Sequence, residues 1–228
     1  TSLEKIGQVT DLELEKNQGL SMEENCETSG LSVQLEDVSF KYPGNTKFTL
    51  QELNLTINPG ERLLISGKNS SGKNTLCALL AGLYDVTSGH ISYNGLPKGN
   101  LELQSLRDLV GAGLIEEQQV FSGTILENIA MGRKNATFEN VKWAVENVGL
   151  ENFIRQSKAG YETMLDPTGM KLSKSTVQKL MLARSIADKP KLLILNQSFS
   201  AIEQSERVKI EAFILDKSNP WTLAVIGL

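Results

Sequence analysis

The stretch Gly-Lys-Asn-Ser-Ser-Gly-Lys-Asn-Thr at residues 67–75 constrains the fold more than any other part of the chain. It fits the phosphate-binding loop pattern G-x-x-x-x-G-K-[ST] through Lys73 and departs from it at Asn74. The apolar run 63–65 predicts a buried strand before the loop, and residues 75–80 predict a helix after it. Such a turn holds an anion on inward-turned backbone N–H groups, a helix N-terminus and a lysine. An ordinary strand-to-helix turn is the alternative. We expect a nucleoside phosphate to contact Gly67, Ser70, Ser71, Gly72, Lys73, Asn74 and Thr75.

Composition limits the architecture and the class of partner. With 228 residues, of which 40% are hydrophobic and 22% charged, the chain is long enough for one sizeable domain or a core with an inserted lobe. The net charge of −4 gives no support for a nucleic-acid-binding protein. No apolar run approaches the ~20 residues that a membrane-spanning helix requires.

Residues 1–30 differ from the rest of the chain because acidic residues dominate them. Leu3, Ile6 and Val9 recur every three residues, which predicts a short amphipathic helix. Residues 18–30 have little apolar surface to bury, so we expect them to stay loose. We interpret residues 1–30 as an acidic leader or linker, and we expect the folded domain to run from 31 to 228.

Short strands frame the loop on both sides. Residues 31–40 roughly alternate between apolar and polar, with one irregularity at Asp37, and residues 50–57 form a second strand-like set. Residues 90–93 followed by Asn94-Gly95 predict a strand and a tight turn. Together these segments predict a small antiparallel β layer.

Helices and buried strands alternate in the second half of the chain. Helices are predicted over 124–131, 138–148 and 150–157, with Thr137 as the N-cap of the second. Ser173 is the predicted N-cap of a further helix that Lys189-Pro190 ends, and another helix is predicted over 203–215. Parallel strands are predicted over 192–195 and 223–226. The pattern predicts an α/β fold, with a mainly parallel sheet and a helical lobe inserted at about 117–175. Because the chain stops on an apolar strand, we expect a C-terminal portion to be missing.

The order of motifs allows a family to be named. Tyr42, the loop at 67–75, the stretch Phe121-Ser122-Gly123-Thr124-Ile125 with Glu127-Asn128-Ile129, then Leu172-Ser173 and Ala183-Arg184-Ser185 follow one another at characteristic spacings. This set resembles the nucleotide-binding domain of ATP-binding-cassette transporters, which has a P-loop NTPase core, over residues 31–228. The stretch 121–129 is similar to the exporter branch. The resemblance implies that ATP stacks its adenine on Tyr42, and that the leader follows a membrane domain.

The chain departs from the family pattern at the magnesium ligands and the catalytic base. The family has Ser or Thr where Asn74 stands, and the hydroxyl of Thr75 is displaced by about 100° around a helix. The family's Asp-Glu pair is replaced by Asn196-Gln197. An amide cannot act as a general base, and losing that role costs ~10²- to 10⁴-fold in rate. A neutral amide is also a weak ligand for Mg²⁺, so we expect no magnesium site.

Three further motifs depart from the family. The glutamine that senses the terminal phosphate corresponds to Glu116, and the switch histidine falls at Leu228. The signature Leu-Ser-Gly-Gly-Gln becomes Leu172, Ser173, Lys174, Ser175 and Thr176. The resemblance therefore leaves no intact catalytic residue among Glu116, Asn196, Gln197 and Leu228.

Two functions follow from this pattern. The first is an exporter-type domain at the cytoplasmic face of a membrane that binds ATP and hydrolyses it weakly or not at all, in a binding or regulatory role. The second is an active transport ATPase in which Glu116 compensates for the lost carboxylates. Both imply a transmembrane domain, in the same or a separate chain, and a second nucleotide-binding domain in a homodimer or heterodimer.

Overall fold

The protein is described by a computed structural model over residues 19–22, 30–113, 120–166, 172–196, 199 and 201–227. The strands, numbered along the chain, are β1 (Val33–Phe40), β2 (Leu50–Ile57), β3 (Arg62–Ile65), β4 (Ser88–Tyr93), β5 (Leu96–Pro97), β6 (Val110–Gly113), β7 (Gly123–Thr124), β8 (Met164–Leu165), β9 (Leu192–Asn196) and β10 (Thr222–Ile226). The α-helices are α1 (Lys73–Leu80), α2 (Leu103–Leu109), α3 (Ile125–Ala130), α4 (Phe138–Val148), α5 (Glu151–Gln156), α6 (Lys174–Ile186) and α7 (Gln204–Leu215).

A parallel sheet forms the centre of the described fold. Its strands lie in the order β3, β10, β9, β6, and all three pairings are parallel. Every residue of β9 and β10 is buried, as expected for strands covered on both faces. The predicted parallel strands at 192–195 and 223–226 are confirmed.

A second sheet is antiparallel and has the order β2, β1, β4, β5. Its pairing shifts register between Leu35 and Val38, where Asp37 has a φ of 49°. Gly89 of β4 fits against this irregularity, because a Cβ at Gly89 would lie 2.4 Å from the carbonyl oxygen of Asp37. The predicted antiparallel layer and its irregular position are both confirmed.

The helical region lies between β6 and β9 in the chain. Helix α4 begins after Thr137, whose side chain accepts a hydrogen bond from the Asn140 N–H, and α6 begins after Ser173, which accepts from the Thr176 N–H. Both predicted N-caps are therefore confirmed. The short ribbon of β7 and β8 was not predicted, since a two-residue strand has no detectable periodicity.

Alternating residues of the central strands separate two hydrophobic cores. Leu193 and Leu195 of β9 face a core built with α3, α4, α6 and α7. Leu192 and Ile194 face the other core, which contains α1 and the antiparallel sheet. Since both cores meet on the same strands, the positions of the loop helix and the helical lobe are fixed relative to one sheet.

Two predictions made from the sequence are wrong. The strand before the loop is not buried throughout, because β3 lies at the edge of the sheet among the described residues and Leu64 is 59% exposed. Residues 19–22 are not loose: Leu20 pairs with Leu101 in a parallel bridge, and Met22 is fully buried. Residues 23–29 and the predicted amphipathic helix lie outside the described residues.

Among the described residues, no helix combines the length and the apolar character needed to cross a membrane.

Helix α1 gives a test of the core beneath the loop. Cys77 of this helix is fully buried, and burial raises the pKa of its thiol to about 12. Because the thiolate is the reactive form, a Cys26→Ser variant should be alkylated at Cys77 at least about a hundredfold more slowly when folded than in urea at pH 8. The free energy of unfolding should also fall as pH rises from about 9 towards 12, since only the unfolded thiol then ionises. Rapid labelling of the folded protein would contradict this packing.

Candidate functional site

The loop between β3 and α1 depends on glycine at its last position. Gly72 has a φ of 86° and lies immediately before the first residue of α1. A Cβ at this position would lie 2.9 Å from Leu50 Cδ2 and 3.1 Å from the carbonyl oxygen of Thr49. Both the left-handed conformation and the close approach of the chain before β2 therefore require glycine.

Lys73 lies across the loop rather than pointing away from it. Its Nζ donates hydrogen bonds to the carbonyl oxygens of Gly67, at 2.8 Å, and Lys68, at 2.6 Å. Two backbone carbonyl groups at the start of the loop thus hold the Lys73 ammonium group against the loop. The ammonium group can exchange these neutral acceptors for phosphate oxygens, which form stronger charge-assisted hydrogen bonds.

Thr75 connects helix α1 to Tyr42. The two hydroxyl groups lie 2.9 Å apart in a hydrogen bond, and Thr75 is buried. The Tyr42 ring also makes edge-to-face contacts with Phe40 and Tyr84. This hydrogen bond links the Tyr42 ring to α1 and already occupies the hydroxyl of Thr75.

A cleft of about 590 Å³ opens over the loop. Its lining combines loop residues with the ends of two central strands: Thr49, Asn69, Ser70, Ser71, Gly72, Lys73, Asn74, Thr75, Asn196, Ile226 and Gly227. Within the described part of the chain, Lys73 is the one charged residue of this lining, and no carboxylate belongs to it. The site therefore favours an anion by charge as well as by backbone geometry.

Asn196 forms the inner wall of the cleft. It is the last residue of β9 and pairs with Ile226 of β10, which in turn pairs with Ile65 at the end of β3. Asn196 is 8% exposed, and its Nδ2 atom has no hydrogen-bond partner among the described residues. A buried donor without an acceptor costs about 1–3 kcal/mol of stability. Because Nδ2 is itself buried, an acceptor from outside the chain reaches it only when the side chain turns towards the cleft.

The described residues do not fit a magnesium ion of the kind expected beside a nucleotide. Mg²⁺ prefers charged oxygen ligands in octahedral geometry, whereas the cleft offers the amides of Asn74 and Asn196 and a threonine hydroxyl that is already bonded. Nowhere in the described ranges do three or more His, Cys, Asp or Glu residues form a group that could hold a metal.

The structure brings together only some of the site residues predicted from the sequence. Ser70, Ser71, Gly72, Lys73, Asn74, Thr75 and Asn196 line the cleft, and Gly67 contacts Lys73 at the start of the loop. Tyr42 is hydrogen-bonded to Thr75 of the loop helix but does not line the cleft. Glu116, Gln197 and Leu228 lie outside the described residues.

The signature residues lie apart from the cleft. Leu172 and Ser173 precede α6, and Lys174, Ser175 and Thr176 form its first turn. None of these five residues is part of the cleft lining. Since α6 packs against α3 and α4 in the helical region, its N-terminus belongs to a different surface of the same chain.

Sequence reasoning missed several lining residues. Thr49 lies just before β2, and only the close contact with Gly72 shows that it borders the loop. Ile226 and Gly227 lie at the end of β10, and their place follows from strand order rather than from a motif. A prediction that the carboxyl ends of adjacent parallel strands converge on the loop could have identified them.

Comparisons with known proteins agree with this geometry. The sequence model of the family described as "ABC transporter" matches residues 50–200. The "putative multidrug export ATP-binding/permease protein YgaD" of Bacillus subtilis is 36% identical over 181 residues, which are 79% of this chain and 31% of the relative. The "ABC-type transporter kk1G" of Curvularia clavata is 35% identical over 188 residues, covering 82% of this chain and 14% of the relative. The chain therefore spans less than a third of each of these two relatives.

A solved structure has the same fold. It is described as a "bacterial Atm1-family ABC exporter with ATP bound" and superposes with a TM-score of 0.83 at 24% sequence identity. The superposition covers 99% of this chain and 39% of the other. At this identity the likeness establishes the fold alone, which confirms the α/β class predicted from the sequence.

The family match begins at β2, includes the loop at 67–75 and ends at residue 200, just after β9. A relative described as a multidrug export protein is 36% identical to this chain. The chain belongs to the ABC transporter family and forms a nucleotide-binding domain of the exporter type.

Proposed function

We propose that this chain binds ATP and hydrolyses it weakly or not at all, acting as a binding or regulatory domain of an exporter-like transporter. The observation that carries the proposal is the absence of any carboxylate from the described lining of the loop cleft. Phosphoryl transfer depends on metal-assisted charge neutralisation and on a group that orients or deprotonates the attacking water. Asn196 stands where the family supplies one such carboxylate, and Gln197 follows it in the sequence.

The binding half of the proposal is supported by loop geometry that does not involve a metal. Backbone N–H groups at the start of α1 and the ammonium of Lys73 act on phosphate oxygens directly. Tyr42 is half-buried and is hydrogen-bonded to Thr75 of the loop helix, and it is the aromatic residue that we propose receives adenine. The phosphate affinity supplied by the loop therefore does not depend on the catalytic groups.

A second function is an active ATPase in which Glu116 replaces the missing carboxylates. It is favoured by the strand order, since β6 lies beside β9 and Gly113 pairs with Leu195, one residue before Asn196. Glu116 follows Gly113 by three positions in the sequence. In this alternative a carboxylate lost from β9 is supplied by the segment after β6.

The wider context is part of the same proposal. Relatives are described as export ATP-binding/permease proteins, and this chain spans only part of their length. We infer that it works with a transmembrane domain, in the same or a separate chain, at the cytoplasmic face of a membrane. The separation of the signature residues from the cleft supports a second nucleotide-binding domain, which would present its own signature to this loop.

Steady-state ATP turnover distinguishes the two functions. We expect the purified chain, with magnesium present, to release phosphate at the background rate, and the Lys73→Ala variant to be no slower. If turnover is measurable and the Lys73→Ala change abolishes it, the chain is an active ATPase. A further loss in Glu116→Gln would then identify the compensating carboxylate.

Stacking on Tyr42 should appear as a difference between ATP and inorganic tripolyphosphate. Base–aromatic stacking contributes about 1–3 kcal/mol, so Tyr42→Ala should weaken ATP binding by at least about fivefold in titration calorimetry. Tripolyphosphate has no base, and its affinity should change little. The matched Tyr42→Phe variant keeps the ring and should bind ATP almost normally. Equal losses for both ligands would instead indicate that Tyr42 only supports the loop.

Magnesium should have little influence on binding. Because Asn74 and Asn196 are neutral amides, nucleotide affinity should change by less than tenfold (about 1.4 kcal/mol) when a chelator replaces magnesium. The double variant Asn74→Ser with Asn196→Asp should gain a dependence on magnesium. It should not gain hydrolysis, since Gln197 and Leu228 remain. A tenfold or larger loss on chelation in the unmodified chain would reveal a working metal site.

A further inference from the structure

The inner wall of the loop cleft carries a hydrogen-bond donor that the chain itself does not use. Asn196 is more than nine-tenths buried at the end of β9, and its Nδ2 has no acceptor within the described ranges. The same residue lines the cleft that opens over the loop. Ile226 pairs with Asn196 across the sheet, and its apolar side chain cannot accept a hydrogen bond.

The rest of the cleft lining also presents hydrogen-bond donors. Asn69, Ser70, Ser71 and Asn74 present amide or hydroxyl donors, and Lys73 contributes the positive charge. Free polyphosphate presents many oxygen acceptors and several negative charges to such a surface. Magnesium would cancel two of those charges and would occupy the oxygens that the donors need, while finding no carboxylate in the described lining.

We propose that the Asn196 side chain turns its buried Nδ2 towards the cleft and donates a hydrogen bond directly to a phosphate oxygen of metal-free polyphosphate, so that Asn196 selects the free ligand over its magnesium complex. The ligand class rests on the proposed function, but the role of Asn196 does not follow from it. A carboxylate at position 196 would repel the same oxygen unless a cation lay between them. The Asn196 amide has nearly the same shape as a carboxylate, but it is neutral and offers a hydrogen-bond donor.

The test is titration calorimetry with inorganic tripolyphosphate, first in chelator and then with magnesium. In chelator, Asn196→Leu removes the donor and should weaken binding at least tenfold (about 1.4 kcal/mol). The thermal unfolding midpoint of this variant should be no lower than that of the unmodified chain, because an unsatisfied buried donor has been removed. Asn152→Leu is the matched control, since Asn152 is exposed on α5 and does not line the cleft.

The isosteric Asn196→Asp variant separates a ligand contact from a structural role. In chelator it should bind tripolyphosphate more weakly than Asn196→Leu, because the two negative charges repel. Magnesium should restore much of that loss in Asn196→Asp and should weaken binding, by less than tenfold, in the unmodified chain. A residue that merely supported the fold would not reverse the sign of the magnesium effect.

Each outcome decides the proposal. If Asn196→Leu binds tripolyphosphate in chelator as tightly as the unmodified chain, Asn196 is not a ligand contact, although ATP binding by the loop would stand. If Asn196→Asp and Asn196→Leu respond alike to magnesium, the selection role is wrong. If the unmodified chain binds neither ATP nor tripolyphosphate at millimolar concentration, both this inference and the proposed function fail.

Discussion

The in-register pairing of three parallel strands is the constraint on which the rest of the site depends. Ile65, Ile226 and Asn196 are aligned at the carboxyl ends of β3, β10 and β9. The phosphate-binding loop begins where β3 ends, beside Ile226. Strand register alone therefore places the loop and Asn196 at the same edge of the sheet. Because a shift of one residue would reverse the face of every side chain, the two hydrophobic cores that cover these strands also fix the site.

The parts of the fold that were predictable are those encoded locally. The caps at Thr137 and Ser173 depend on a few neighbouring residues, and the sequence contains them all. The break in alternation at Asp37 is also visible in the sequence, although Gly89 of another strand accommodates it. The exposure of Leu64 was not predictable, because an apolar run has the same composition at the edge of a sheet as at its centre. The burial of Met22 depends on Leu101 and Ser105, some eighty residues later, and no local pattern encodes that contact.

The candidate site shows the same division. The loop from Gly67 to Thr75 is a contiguous motif, so its residues could be predicted without strand order. Thr49 could not, since its role depends on the close approach of the segment before β2 to Gly72. The partner of the Thr75 hydroxyl was equally hidden: the sequence indicates that this group is rotated away from the loop, but only the structure identifies Tyr42 as the residue that engages it.

The replacements at positions 74 and 196 are physically consistent with each other. An ionised carboxylate at 196 would be more than nine-tenths buried and close to the phosphate position, and without a metal it would be an uncompensated charge. A metal at this position would in turn require the hydroxyl ligand that Asn74 does not supply. Once the hydroxyl ligand is lost, a retained carboxylate at 196 would destabilise the folded chain and weaken phosphate binding. Two neutral amides remove both costs while the backbone of the loop, the lysine and the strand register remain in place. The architecture of the nucleotide site therefore tolerates the loss of its metal chemistry, because the loop backbone, Lys73 and the strand register do not depend on a metal ligand at position 74 or 196.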